Sequence, residues 1–214
     1  MSKSGTESCK ADPEESFPEA LAAIRRGEVV VYPTETLYGL GADALCPKVV
    51  EEVFAIKGRD PANPIPVLVA DLKMLSGVVS EIPIPAKRLM ERFWPGPLTL
   101  VLPAVPGLPP RLVNAEGGIG VRISRHPVAG ELIRALGRPL TATSANPSGR
   151  APARTIDEAK AYFSGRVRVF MDGGALTASK GSTVVDATAG RLRIIREGDL
   201  PAAVLERCLD TTLP

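Results

Sequence analysis

Histidine is almost absent from this 214-residue chain, with His126 the only one, and cysteine is sparse, at Cys9, Cys46 and Cys208. No HExxH, no CxxC and no paired-cysteine spacing occurs, which excludes a histidine-rich metalloprotease centre and a zinc ribbon. Three widely spaced cysteines also argue against a disulfide scaffold and suit a reducing compartment. Apolar runs stay short, as in Val29-Val30-Val31, and fall far below a membrane span. Residues 1–15 carry Glu7, Asp12, Glu14 and Glu15 and have no apolar core, so they read as a flexible tail rather than a signal peptide. The expectation is a cytoplasmic protein. No sign of charge dominates: 26 Lys and Arg against 24 Asp and Glu leave +2. That balance excludes bulk positive charge as the main tool and leaves room for a local basic patch. Aromatics are only 4%, so the core is aliphatic.

Glycine (20) and proline (21) are plentiful instead, and they punctuate alternating helix and strand patterns. A capping-box spacing, Ser16-x-x-Glu19, opens a helix that Gly27 stops. Strands are expected over 29–32, 66–70, 98–102, 119–123, 140–143 and 167–171. Helices are expected from Pro47 to near Gly58 and over 86–93, 127–136 and 156–163. The runs 183–186 and 192–196 form a closing pair of strands, and Asp199 caps a last helix ending at Leu209. The predicted fold is one α/β domain over 16–210 with a mixed sheet.

Several segments carry more chemistry than turns require. Thr34 follows the first buried strand in Pro33-Thr34-Glu35-Thr36-Leu37-Tyr38-Gly39-Leu40-Gly41. Its glycines imitate a dinucleotide fingerprint, but the helix begins too late for one. The segment is either a glycine-rich turn or a strand end presenting Thr34 and backbone groups to a small ligand. Lys57-Gly58-Arg59 and Asn63 either answer a helix dipole or offer a polyphosphate a point charge, a guanidinium fork and an amide. No GxxxxGK[ST] exists, which removes the P-loop. Trp94, the only tryptophan, reads as a core anchor for a proline-locked turn. Arg122 sits inside an apolar strand, so it reaches either solvent or an anion. Between Leu140 and Arg150, hydroxyls and amides, Ser144 and Asn146 among them, are separated by small residues such as Ala142 that admit close backbone approach. Ser182 and Arg196 lie at strand ends, where α/β sites assemble.

Taken together, PTETLYGLGADA, KGRDPANPIPVLV, WPGPLTLVL, VRISRHP, TSANPSGRAP, DGG, GSTVVD and IIREG resemble the YrdC/TsaC family of L-threonylcarbamoyladenylate synthases. The resemblance runs from about Ser16 to Leu209 and, with the chain ending at Pro214, is to the short form without an extra C-terminal domain. It implies a twisted open mixed sheet with flanking helices and a concave basic cleft. The implied reaction joins L-threonine, bicarbonate and ATP, with Mg²⁺, into threonylcarbamoyl-AMP and pyrophosphate for t6A modification of tRNA. By motif position, Thr34, Arg122, Ala142 and Ser182 would bind threonine. Lys57, Asn63, Ser144 and Arg196 would bind ATP, with Gly118 contributing through its backbone, and Arg59 and Asn146 complete the family's Lys-Arg-Ser-Asn group. Lys57 and Arg59 are the expected catalytic pair. Leu68 stands where many members carry His, and Gly118 where many carry Thr. Adenylyl transfer to a carbamate needs positioning and cations rather than a protein nucleophile, so the scarcity of histidine is consistent with it. The implied partners are tRNA or double-stranded RNA and the t6A transfer machinery. Two alternatives are an RNA-binding module and the carbamoyl-adenylate-forming domain of hydrogenase maturation proteins.

Overall fold

In the strand that follows the first helix, Val30 and Tyr32 turn to one core cluster and Val31 to the other, and all three are buried. A strand apolar on both sides belongs inside a covered sheet. The computed structural model, which describes residues 13–177, 179–189 and 192–209, puts it there. In chain order the elements are α1 (Pro13–Arg25), β1 (Val30–Tyr32), β2 (Gly39–Gly41), α2 (Pro47–Lys57), β3 (Val67–Leu68), α3 (Leu72–Leu75) and α4 (Ile84–Phe93). Then come β4 (Leu98–Pro103), a 3-10 turn (Pro110–Leu112), β5 (Gly118–Arg122), α5 (Pro127–Leu136), β6 (Leu140–Thr141) and β7 (Thr143–Ser144). The described chain closes with α6 (Ile156–Phe163), β8 (Val169–Phe170), β9 (Thr183–Asp186), β10 (Arg193–Arg196) and α7 (Ala202–Leu209).

The strands form two sheets rather than the single sheet expected. One runs β7-β2-β1-β8, and the other β10-β9-β4-β5-β3-β6, both with mixed parallel and antiparallel pairs. The expected strand over 140–143 is broken at Ala142, with β6 in the larger sheet and β7 in the smaller. The break has a local cause. Thr141 Oγ1 donates to the Leu40 carbonyl and accepts from the Ala42 amide, while the Ala142 amide turns to the Pro66 carbonyl. This short segment therefore bonds to both sheets, and the joint it makes lies beside the cavity described below.

The larger core cluster takes in buried faces of α2, α4, α6 and α7, and the smaller one takes α1 and α5. A fully buried Leu89, Leu132 or Leu205 contributes roughly 2 kcal/mol through removal from water. Leu68 is fully buried in the smaller cluster. β2 pairs with β1 and β7, and it carries glycine at 39 and 41 because the Tyr32 ring lies across them: a Cβ on Gly41 would stand 2.8 Å from the ring.

Helix starts depart from the sequence reading at two places. α1 begins at Pro13, so Ser16 is inside the helix and the last three residues of the expected tail are helical; residues 1–12 fall outside the described residues. Asp199 does not cap α7, which starts at Ala202, whose amide donates to the Glu197 carboxylate. The Asp199 carboxylate instead accepts from Ser179 Oγ at 2.5 Å and the Lys180 amide at 2.7 Å. Trp94 packs against the larger core and donates from Nε1 to the Leu98 carbonyl at 2.7 Å, the anchoring role expected.

Candidate active site

Strand ends and loops of both sheets enclose a cavity of about 670 Å³. Its wall includes nine of the sequence-predicted residues: Thr34, Arg59, Asn63, Gly118, Arg122, Ala142, Ser144, Ser182 and Arg196. Lys57 and Asn146 lie behind the wall.

The loop after β1 is built by its own hydroxyls. Thr34 Oγ1 accepts from the amides of Thr36 and Leu37, both at 3.2 Å, and donates to the Leu37 carbonyl at 2.7 Å. Thr36 Oγ1, 3.0 Å from Thr34 Oγ1, accepts from Arg122 Nη1 at 3.2 Å. Thr36 is therefore the residue that orients Arg122, and sequence reasoning missed it. The signal available was the Thr-x-Thr repeat, which puts a second hydroxyl two residues from Thr34. Behind Arg122, Glu35 Oε1 lies 3.8 Å from Nη1 with both side chains 7% exposed, and its other oxygen accepts from Ser124 Oγ. Glu35 Oε1 has no hydrogen-bond partner among the described residues. Arg122 thus has a counter-charge at its back and the cavity at its front.

Arg59 is held by the stiff loop that follows α2. Its Nε donates to the Asn63 carbonyl at 2.6 Å, Nη2 to the Pro64 carbonyl at 3.0 Å and Nη1 to Thr143 Oγ1 at 3.4 Å. On the opposite wall, Arg196 Nη2 donates to the Ser182 carbonyl at 2.7 Å, and Ser182 Oγ shares a 2.8 Å hydrogen bond with Thr99 Oγ1. Gly118 donates its amide to Asn114 Oδ1 at 2.6 Å and accepts the Asn114 amide at 2.8 Å, so both of its backbone groups are already engaged. A Cβ there would stand 2.7 Å from Val101 and Thr188 side-chain carbons, which is why glycine occupies this wall.

Charge in the cavity is lopsided. Burial first, and then the charge of Arg196, holds the Arg59 guanidinium below its ordinary value; burial, and then Arg122, does the same to Arg196. Arg59 thus feels Arg196, and Arg196 feels Arg122, around one space that an entering anion would stabilise. The wall also includes Lys180 and Arg193, which the sequence reading did not select; Arg193 is occupied by Asp186 at 3.2 Å. Among the described residues no three His, Cys, Asp or Glu side chains converge to hold a metal ion.

The Sua5/YciO/YrdC family model, described as telomere recombination, matches residues 22–198. The chain belongs to this family. It is 38% identical over 190 residues to the threonylcarbamoyl-AMP synthase of Pyrococcus abyssi, covering 89% of this chain and 56% of that one. The threonylcarbamoyl-AMP synthase of Thiobacillus denitrificans is 36% identical over 179 residues, covering 84% of this chain and 95% of that one. A crystal structure of P. abyssi Sua5 complexed with L-threonine superposes with a TM-score of 0.88 at 35% identity, covering 94% of this chain and 59% of that one. Against the P. abyssi protein, then, this Sua5/YciO/YrdC chain corresponds to little more than half the length, whereas the T. denitrificans enzyme matches it nearly end to end. No described helix is long and apolar enough to cross a membrane.

Proposed function

We propose that this chain is a threonylcarbamoyl-AMP synthase, a nucleotidyltransferase that joins L-threonine, bicarbonate and ATP and releases pyrophosphate. The observation that carries the reading is the arginine group: Arg59, Arg122 and Arg196 surround one cavity, and of the three Arg122 alone is paired with a carboxylate within 4 Å among the described residues. Threonine and bicarbonate condense to N-carboxy-threonine with loss of water. A carbamate oxygen then attacks the α-phosphorus of ATP, the new O–P bond forms, and the bond to the β-phosphate oxygen breaks to release pyrophosphate. The carbamate, ATP and pyrophosphate are all anions, so the catalytic requirement is to hold like charges together in line.

In this scheme Arg122, oriented by Thr36, grips the threonine carboxylate with Thr34, Ala142 and Ser182 around it. Arg59 and Arg196 neutralise the phosphates, and Asn63, Ser144 and the Gly118 segment line the nucleotide side. Mg²⁺ brought by ATP would add positive charge against the phosphates, and no cluster of three His, Cys, Asp or Glu side chains among the described residues would hold it independently. The product is a mixed anhydride, so an acceptor nucleophile must consume it; in the family reading this is tRNA, met through the t6A transfer machinery. The test is an omission assay in degassed buffer with mass detection of the adenylate. Threonylcarbamoyl-AMP and pyrophosphate are expected only when ATP, Mg²⁺, threonine and bicarbonate are all present. An adenylate made from carbamoyl phosphate in place of threonine and bicarbonate would assign the chain to carbamoyl transfer, and release of ADP would make it a kinase.

A further inference from the structure

Lys57 is one of the expected catalytic residues, yet the residue is only 4% exposed, does not line the cavity, and places its ammonium against a neighbouring turn. Nζ donates to the Ser144 carbonyl at 2.6 Å, the Asn146 carbonyl at 2.9 Å and Asn146 Oδ1 at 3.1 Å. Nζ also lies 3.4 Å from Ser144 Oγ, so four oxygens of the turn crowd the three donor hydrogens of the ammonium and leave none for a ligand. The Lys57 carbonyl in turn accepts the Ser148 amide at 2.8 Å, so the end of α2 and the turn are tied at both backbone and side chain. The amide of Asn146 can take only one orientation: Nδ2 donates to the Pro147 and Arg150 carbonyls at 3.0 and 2.7 Å, which turns Oδ1 to Lys57. The same Oδ1 accepts the hydroxyl hydrogen of Ser144 at 2.6 Å. Ser144, which does line the cavity, is left with lone pairs only.

We infer that Lys57 is a positioning residue, which locks Asn146 and the 144–148 turn and thereby presents Ser144 to the nucleotide as an acceptor, without touching a phosphate itself. The inference rests on the nucleotide reading of the cavity. Burial, together with the charge of Arg59, pulls the Lys57 ammonium down to about 7.

Two measurements test it. In the intact wild-type protein, amine footprinting read by mass spectrometry is expected to find Lys57 unreactive both alone and with Mg·ATP. Reactivity in the free protein, whether or not Mg·ATP protects it, would overturn the cage. The second is a double-mutant cycle on ATP affinity by calorimetry with Lys57→Met and Ser144→Ala. Each single change is expected to weaken ATP by about tenfold, and the pair by no more than about threefold beyond Ser144→Ala alone, because the lysine acts through the serine. Losses that multiply, or recovery of ATP affinity in Lys57→Arg, would make Lys57 a direct phosphate ligand and sink the inference. Wild-type protein that binds no ATP would instead refute the nucleotide reading, while footprinting would still decide the cage.

Discussion

Two arginines that line the same cavity stand in opposite electrostatic surroundings. Arg122 is backed by Glu35, whereas Arg196 is held only by the Ser182 carbonyl and hydroxyl. Arg122→Ala would strand a buried carboxylate, at a cost of about 3–5 kcal/mol in stability, besides removing the proposed contact with threonine. Arg196→Ala removes a charge that its neighbours repel, so its folding stability should stay within about 0.5 kcal/mol of wild type while ATP affinity falls by about tenfold or more. Urea denaturation alongside calorimetry separates the two, and equal stability loss in both variants would refute the contrast. Lys57 adds a pH signature. Its amine lies near 7 in the folded chain against 10.5 ordinarily, so between these values the unfolded chain binds the extra proton. Stability therefore rises with pH across that window, by at most about 1.4 kcal/mol per unit, and the contribution is lost as pH falls through 7. Lys57→Met has nothing to titrate there. The stability difference, wild type minus variant, should grow from about pH 7 to about pH 9; a flat difference would show that the folded amine keeps its proton.

Elements that are decided locally were the readable ones. The prolines that open α2 and α5 and the glycines that follow them, Gly58 at φ 60 and Gly137 at φ 71, mark both helices because start and stop chemistry lies within a few residues. Elements decided at a distance were not. The break at Ala142 depends on Leu40, Ala42 and Pro66, and the burial of Lys57 depends on a turn 87 residues away. Asp199 looked like a helix cap because a carboxylate that answers backbone amides looks the same in sequence whichever loop owns the amides. It serves the loop before β9, where Gly181 at φ 85 accepts the Asp199 amide. Gly198 completes that joint, since a Cβ there would stand 2.2 Å from the Gly181 carbonyl oxygen and 2.6 Å from the Ser182 carbonyl carbon. Gly198→Ala is expected to cost about 1–3 kcal/mol in a denaturation experiment and to move Ser182 in the cavity wall; a neutral substitution would mean that the backbone shifts freely. For Asp199→Ala, hydrogen exchange should show the Lys180 amide losing protection while α7 keeps its own. Fraying of α7 instead would restore the capping role.

Over the whole molecule, net positive charge is concentrated at the cavity. The cavity wall holds Arg59, Arg122, Lys180, Arg193 and Arg196 against Glu116 and Asp186, a balance of 5 − 2 = +3. The full chain carries +2, so everything outside the wall sums to 2 − 3 = −1. A wall of this kind draws small anions into one cleft, while the rest of the chain, net −1, adds no overall attraction for a long polyanion. Double-stranded RNA needs the opposite, a stripe of cations spaced to follow its phosphates, whose release of counterions makes binding steeply salt-dependent. Duplex RNA is therefore expected to bind no tighter than about 10⁻⁴ M at about 0.15 M salt, and Mg·ATP should not displace it, because the two would not share contacts. ATP, which meets two guanidinium groups of one cavity rather than a long row of cations, releases fewer counterions and should lose much less affinity over the same rise in salt. Fluorescence anisotropy of a labelled duplex, titrated at two salt concentrations with and without Mg·ATP, reads both quantities. Micromolar RNA binding that Mg·ATP abolishes would place RNA in the cavity itself and make the arginine group a nucleic-acid contact instead of an adenylate-forming centre.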